Sequence, residues 1–264
     1  MSLVAIVTGA SSGIGAATAR RLAREPGAEL VLVARREERL RELAASLAVR
    51  TTYVAADLTD ADAPGRVAAH LSDHHDRLDL LVNNAGSSWR ATFADGGYEN
   101  VRRTMDVNFD SVVRLSDALL PTLRASSPSA IVNVASTAAR VGRAGAGAYS
   151  ASKFALAGWT DALYLEERPH GVHVGLVLPG FIVTEGFPAE ELRGKRLTSW
   201  MVSDADTAAE AIIDVGLGRR AERYVPRPYA LAAAVRVVAP WLVRRVQASS
   251  TGRAFTTSTR PGGD

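Results

Sequence analysis

The chain predicts an α/β fold: a Rossmann-type doubly wound parallel sheet of about seven strands, flanked by helices on both faces. Three observations carry this. Short apolar runs recur along the 264 residues and alternate with amphipathic stretches, as strand–helix–strand units do. The first run passes through a glycine-rich turn straight into a helical stretch. No Pro/Gly/Ser linker divides the chain, and 47% hydrophobic content is enough to bury one sheet between two helical layers, so residues 1–264 are expected to form a single domain.

The elements follow in order. Residues 3–7, Leu-Val-Ala-Ile-Val, are an unbroken apolar run suited to a strand buried on both faces. Gly9, Gly13 and Gly15 punctuate the turn that follows, and 16–24 reads as an Ala/Arg-rich helix. Glycines let a pyrophosphate approach the backbone, and the amides and positive dipole end of a new helix bind the anion. The turn therefore offers Gly9, Ser11, Ser12, Gly13, Ile14 and Gly15 as phosphate-site candidates. The second strand, 30–33, ends at Ala34 and leads into Arg35, Arg36 and a charged helix with i,i+4 pairs such as Glu37 with Arg41. The third, 52–56, reaches Asp57 and Leu58, and the fourth, 80–82, enters Asn83-Asn84-Ala85-Gly86. A helix-like stretch over 105–120 carries Asn108, and the fifth strand, 131–135, is closed by Ser136. A Gly/Ala-rich loop, 140–148, brings the chain back toward that strand end before Tyr149 and Lys153. The sixth strand, 172–178, precedes Pro179, Gly180 and Thr184, and a helix over 204–218 with a short strand at 223–225 completes the sheet.

Tyr149 and Lys153 stand four residues apart, on one face of any helix that carries them. A phenol titrates near pH ~10, and a cation ~5 Å away at an effective dielectric of ~20 favours phenolate by roughly 3 kcal/mol, a shift of about two units. Only two of the 31 basic residues, Lys153 and Lys195, are lysine, so an ammonium at 153 is a choice. It is a compact charge, able to reach a phenol and a sugar hydroxyl together, where a guanidinium imposes a planar fork.

The glycine spacing together with Tyr149 and Lys153 closely resembles the short-chain dehydrogenase/reductase family, in its compact single-domain branch, over roughly residues 3–225. The resemblance implies an oxidoreductase in which Tyr149 exchanges the proton, Lys153 lowers its pKa and holds the ribose, Ser136 polarises the substrate oxygen and Asn108 supports a water relay. It places Asp57, with Leu58 beside it, at the adenine, and assigns Asn84, Ala85, Gly86, Pro179, Gly180 and Thr184 to the cofactor. In relatives that use NAD an acid binds the adenine ribose where this chain has Ala34. The missing acid and the guanidinium forks of Arg35 and Arg36 favour NADP(H) over NAD(H). Ser12 departs from this, since NADP-preferring relatives often carry a basic residue there. Arg35 and Arg36 can equally be read as the solvated face of their helix. Two other classes remain open: a non-catalytic NADP-binding regulator, and a peripheral membrane protein built on the tail.

The remaining features bound the partners. A net charge of +3 without an aromatic–basic ladder gives no case for nucleic acid. Zero cysteines exclude disulfides and thiol chemistry, and no signal peptide precedes the first strand, so the expected location is cytoplasmic. The histidines at 70, 74 and 75 read as solvated surface, with no metal site expected. Residues 185–203, with Phe187, Pro188, Trp200 and Met201, match the family's substrate lid; Trp89, Phe93 and Phe181 join them in suggesting an apolar carbonyl or alcohol of medium size. The tail, 226–264, reads as a helix over 229–246 broken near Pro240, docked on its own fold or on a second subunit of a dimer or tetramer. A membrane-surface helix is the alternative, and the residues from 248 on are expected to be disordered unless tied down.

Overall fold

A computed structural model describes residues 2–183 and 201–248. Thr184, the lid expectation apart from Met201, Val202 and Ser203, and the chain end from residue 249 lie outside the described residues.

Seven parallel strands form the main sheet: β1 (Leu3–Thr8), β2 (Ala28–Ala34), β3 (Thr51–Ala55), β4 (Leu80–Asn83), β5 (Ser129–Val134), β6 (Val172–Pro179) and β9 (Glu222–Val225). Their spatial order is β3-β2-β1-β4-β5-β6-β9. The chain winds outward from β1 to β3, then crosses back to place β4 on the other side of β1. A crevice must open above the carboxyl ends of β1 and β4, where the winding reverses. A separate two-stranded ladder pairs β7 (Phe181–Val183) with β8 (Val202–Asp204).

Strand alternation divides the core. Ala5 and Val7 face one layer with Leu22, Leu40 and Ile212, from α1 (Gly13–Leu22), α2 (Glu37–Ser46) and α7 (Ala205–Gly216). Val4 and Ile6 face the other with Leu71, Leu115 and Leu119, from α3 (Ala63–His74) and α5 (Ser111–Ala125). Both faces of β1 are covered, which is why its sequence is an apolar run rather than an alternation. The helix expected over 105–120 is the join of α4 (Phe93–Met105) and α5 through a π turn, Asp106–Asp110.

One expectation changes, and the break expected in the tail is found. His75 is buried rather than solvated: it caps α3 and its Nδ1 lies 3.2 Å from Glu29 Oε2, because the end of that helix is tucked against β2. His70 is half-buried, bonded to Thr52 Oγ1 and stacked on His74, and no group of three or more potential metal ligands occurs among the described residues. The tail is two helices, α8 (Tyr229–Val238) and α9 (Pro240–Ala248), separated at Ala239, since Pro240 lacks an amide to continue the first.

Candidate active site

The crevice between β1 and β4 is built by Thr8. Its hydroxyl donates to Val82 O at 3.2 Å and accepts from the amides of Asn84 at 2.9 Å and Ala85 at 3.0 Å, while Asn84 Nδ2 returns a bond to Thr8 O at 2.9 Å. One buried side chain thus fixes the glycine turn to the Asn-Ala-Gly turn. Gly9 has φ +65°, and a Cβ there would lie 2.8 Å from Asn84 Nδ2. Gly15 serves packing instead: a Cβ would sit 2.3 Å from Gly9 O, so the first turn of α1 rests directly on the loop.

A cavity of about 340 Å³ opens above. Gly9, Ser11, Ser12, Gly13 and Ile14 form one wall, Ala34, Arg35 and Arg36 a second, Asp57 and Leu58 a third, and Asn84, Ala85 and Gly86 the floor toward β4. Arg36 donates to Ser11 Oγ (3.0 and 3.2 Å) and to Ser12 Oγ (2.7 Å), placing a guanidinium over the loop where the sequence has no basic residue. Arg35 Nη1 lies 3.6 Å from Asp57 Oδ2. Burial pushes the Asp57 carboxyl up, but the Thr59 amide and hydroxyl, with Arg35, outweigh it and hold the group below the usual carboxylate range.

A second cavity, about 360 Å³, shares Ile14, Asn84, Gly86 and Ser87 with the first. Ser136, Tyr149, Lys153, Pro179 and Gly180 all line it. Ser136 closes β5 as the cap of a short 3-10 turn, accepting from Ala138 N at 3.1 Å and donating to Pro179 O at 3.3 Å. Tyr149 and Lys153 project from α6 (Gly147–Glu167), and Lys153 Nζ donates to Val134 O at 2.9 Å, 5.9 Å from the phenol ring centre. Burial lowers the Lys153 ammonium to about 8. Burial also raises the Tyr149 phenol, against a hydrogen bond with Ser136 and the positive charge of Arg143. Arg143 is thus a second cation near the phenol, beside the Lys153 to which the sequence pointed.

Asn108 lines neither cavity. It sits fully buried in the π turn behind Gly86, accepting from Ser87 N at 2.8 Å and donating to Ser87 O at 2.9 Å and Ser152 Oγ at 3.0 Å. Its side chain thus pins the Ser87 backbone to α6. A Cβ on Gly86 would come within 3.0 Å of Asn108 Oδ1 and 3.5 Å of Lys153 Nζ, so the three residues are in register behind the floor of the site.

Arg143 and Arg90, which no sequence argument singled out, line the second cavity beside Phe181 and Ile182. Arg143 lies 4.6 Å above the Phe181 ring and donates to Thr137 Oγ1 at 3.3 Å. For Arg143, a charge set among the glycines and alanines of the 140–148 loop was the available signal.

A doubly wound parallel sheet, a glycine turn at its switch point and a Ser, Tyr and Lys gathered in an adjoining cavity define a Rossmann-fold oxidoreductase. The family model described as short chain dehydrogenase matches residues 3–192, and the chain belongs to the short-chain dehydrogenase/reductase family. Among its relatives is a Streptomyces violaceoruber protein named as a ketoacyl reductase of the granaticin polyketide synthase, 37% identical over 83% of this chain and 81% of its own. Short-chain reductase protein NovJ of Streptomyces niveus is 37% identical over 73% of this chain and 75% of its own. Dehydrogenase/reductase SDR family member 7B of Bos taurus is 32% identical over 93% and 80% respectively. The protein is therefore a hydride-transfer oxidoreductase that binds a nicotinamide nucleotide and acts on a small molecule.

Proposed function

We propose that this protein uses NADP(H) to interconvert a carbonyl and an alcohol on an apolar substrate of medium size. The observation that supports this most is the meeting of two cavities at Gly86, one bounded by Arg36 and the glycine turn, the other by Ser136, Tyr149 and Lys153. The first cavity fits a dinucleotide: its glycine wall admits no Cβ at Gly9, Ala34 leaves room beside the ribose site, and Arg35 and Arg36 offer forks to a 2′-phosphate. A bound nicotinamide supplies or accepts the hydride.

The chain's own residues do the rest. Ser136 Oγ donates to the substrate oxygen, and the Tyr149 hydroxyl gives or takes the proton there. Lys153 holds the ribose and, with Arg143, favours phenolate over phenol. Asn108 holds the Ser87 backbone and α6 in place around Lys153, in the position from which a water relay would run. Asp57 and Leu58 bound the adenine, and Asn84, Ala85, Pro179 and Gly180 shape the nucleotide's path. Phe181, Ile182 and Ala138 give the substrate cavity its apolar walls.

We further read residues 1–264 as one domain, working in the cytoplasm, as suits a cysteine-free chain, and as a homo-oligomer, for which exposed Phe154 and Leu165 on α6 offer apolar surface.

A panel of ketones and alcohols assayed with NADPH and NADP+ tests the activity. Tyr149→Phe should lower kcat by about a hundredfold or more, the size of a lost general acid, with NADPH affinity kept. Near-normal turnover by that variant would remove Tyr149 from the chemistry.

A further inference from the structure

The first tail helix docks on the fold, yet the tail leaves large apolar side chains facing outward. In α8 the inner side carries Tyr229 and Ala233, both buried, and the Tyr229 ring lies where a Gly180 Cβ would come within 2.4 Å of it. The Tyr229 hydroxyl donates to Met201 O at 3.2 Å. In α9, Gln247 Nε2 donates to Gly142 O at 2.7 Å. Gly180, and Arg143 next to Gly142, line the second cavity, so both helices are anchored at its rim.

On the outer side Leu231 is 72% exposed, Val237 79%, Val238 83% and Trp241 65%. Large apolar side chains on a helix that are turned away from the core need another apolar surface to cover them. Charge narrows the occupant. Residues 229–248 contain three arginines, Arg236, Arg244 and Arg245, and no Asp or Glu. A second copy packed through this same face would bring two sets of these arginines together with no acid from either 229–248 segment to pair them. An anionic lipid surface meets them with opposite charge and accepts the indole and the valines at the headgroup boundary.

We propose that α8 and α9 dock the enzyme flat on the surface of an anionic membrane. Leu231, Val237, Val238 and Trp241 enter the acyl boundary, and Arg236, Arg244 and Arg245 contact headgroups. The helices lie on the bilayer: among the described residues no helix is long and apolar enough to cross one. This surface goes beyond hydride transfer and does not depend on it.

The full chain is sedimented with phosphatidylcholine vesicles and with vesicles that also contain phosphatidylserine. It should pellet with the second and be released by added salt. Replacing all three arginines by serine should weaken partition about a hundredfold. The double change Val238→Ser/Trp241→Ser should abolish it, while turnover of a water-soluble ketone stays unchanged. Quenching of tryptophan fluorescence by brominated lipid gives a second reading that needs no disruptive variant: it should be seen in the parent and largely lost in Trp241→Phe. Absence of binding to anionic vesicles, or quenching untouched by Trp241→Phe, overturns the proposal. So does light scattering of an oligomer that Val238→Ser/Trp241→Ser dissociates, which would make this face a contact between copies.

Discussion

Lys153 is buried in a cavity wall with a backbone carbonyl as its hydrogen-bond partner, and burial brings its ammonium down to about 8. In the unfolded chain it titrates near ~10.4. Between those values the unfolded state holds a proton that the native state has released, so stability should rise with pH across this window, by up to ~1.4 kcal/mol per unit. Below about 8 both states are charged and the slope vanishes. Lys153→Met should remove the rise, measured by urea denaturation of the nucleotide-free protein from neutral to alkaline pH; parallel profiles would show that burial does not set the ammonium's titration. The two arginines at the end of β2 divide in a similarly local way. Arg36 is held on Ser11 and Ser12, whereas Arg35 faces Asp57. Arg36→Ala should therefore weaken NADPH by at least tenfold, about 1.4 kcal/mol, with NADH unchanged. Arg35→Ala should cost less, because its charge is shared with a carboxylate. Fluorescence titration of both nucleotides checks this, and equal losses for NADH and NADPH would refute the phosphate role.

At the scale of elements, the turns that follow β1 and β4 share one hydroxyl, that of Thr8, as donor and acceptor. Thr8→Val keeps the shape of the side chain and leaves the amides of Asn84 and Ala85 without their acceptor. The expected cost is about 1–3 kcal/mol in stability, with weaker nucleotide binding because both walls of the first cavity move apart; calorimetry with and without NADPH separates the two effects. A second buried polar chain fixes the neighbouring strands: Asn83 Nδ2 donates to Ser116 Oγ at 3.1 Å and to Asn133 Oδ1 at 2.9 Å, and Asn133 Nδ2 to Thr160 Oγ1 at 2.9 Å. It links β4 and β5 to α5 and α6, the helix that carries Tyr149 and Lys153. Helix α6 is thus positioned by side-chain bonds from Asn133 and Asn108, as well as by Leu156, Ala157 and Leu163 packed in the core.

Across the whole molecule, the same helix is anchored at its far end by Glu167, buried and bonded to Arg124 at 2.6 and 2.8 Å. The hydrogen bonds from Arg124 hold the Glu167 carboxyl below the ordinary glutamate value, outweighing burial. A carboxyl lowered in the folded state contributes stability that is fully present above its unfolded pKa of ~4.3 and is lost as pH falls through the folded value. Glu167→Gln should lower the melting temperature at neutral pH and flatten the acid limb of the stability curve; an unchanged acid limb would assign acid unfolding to other carboxylates. The strands, the glycine turn and the Tyr149–Lys153 pair were legible in the sequence, because local apolar runs and an i,i+4 spacing fix them before the chain folds. The break at Pro240 was legible for the same reason. Tertiary structure alone decided that Arg36 covers Ser12, that His75 is buried, and that Arg143 joins Lys153 as a cation near the phenol, since each depends on side chains whose meeting the local sequence does not fix. It also decided that the tail can both dock on the fold and keep an apolar outer face: periodicity gives a helix's character, but which side meets the core is fixed only when the rest of the molecule is in place.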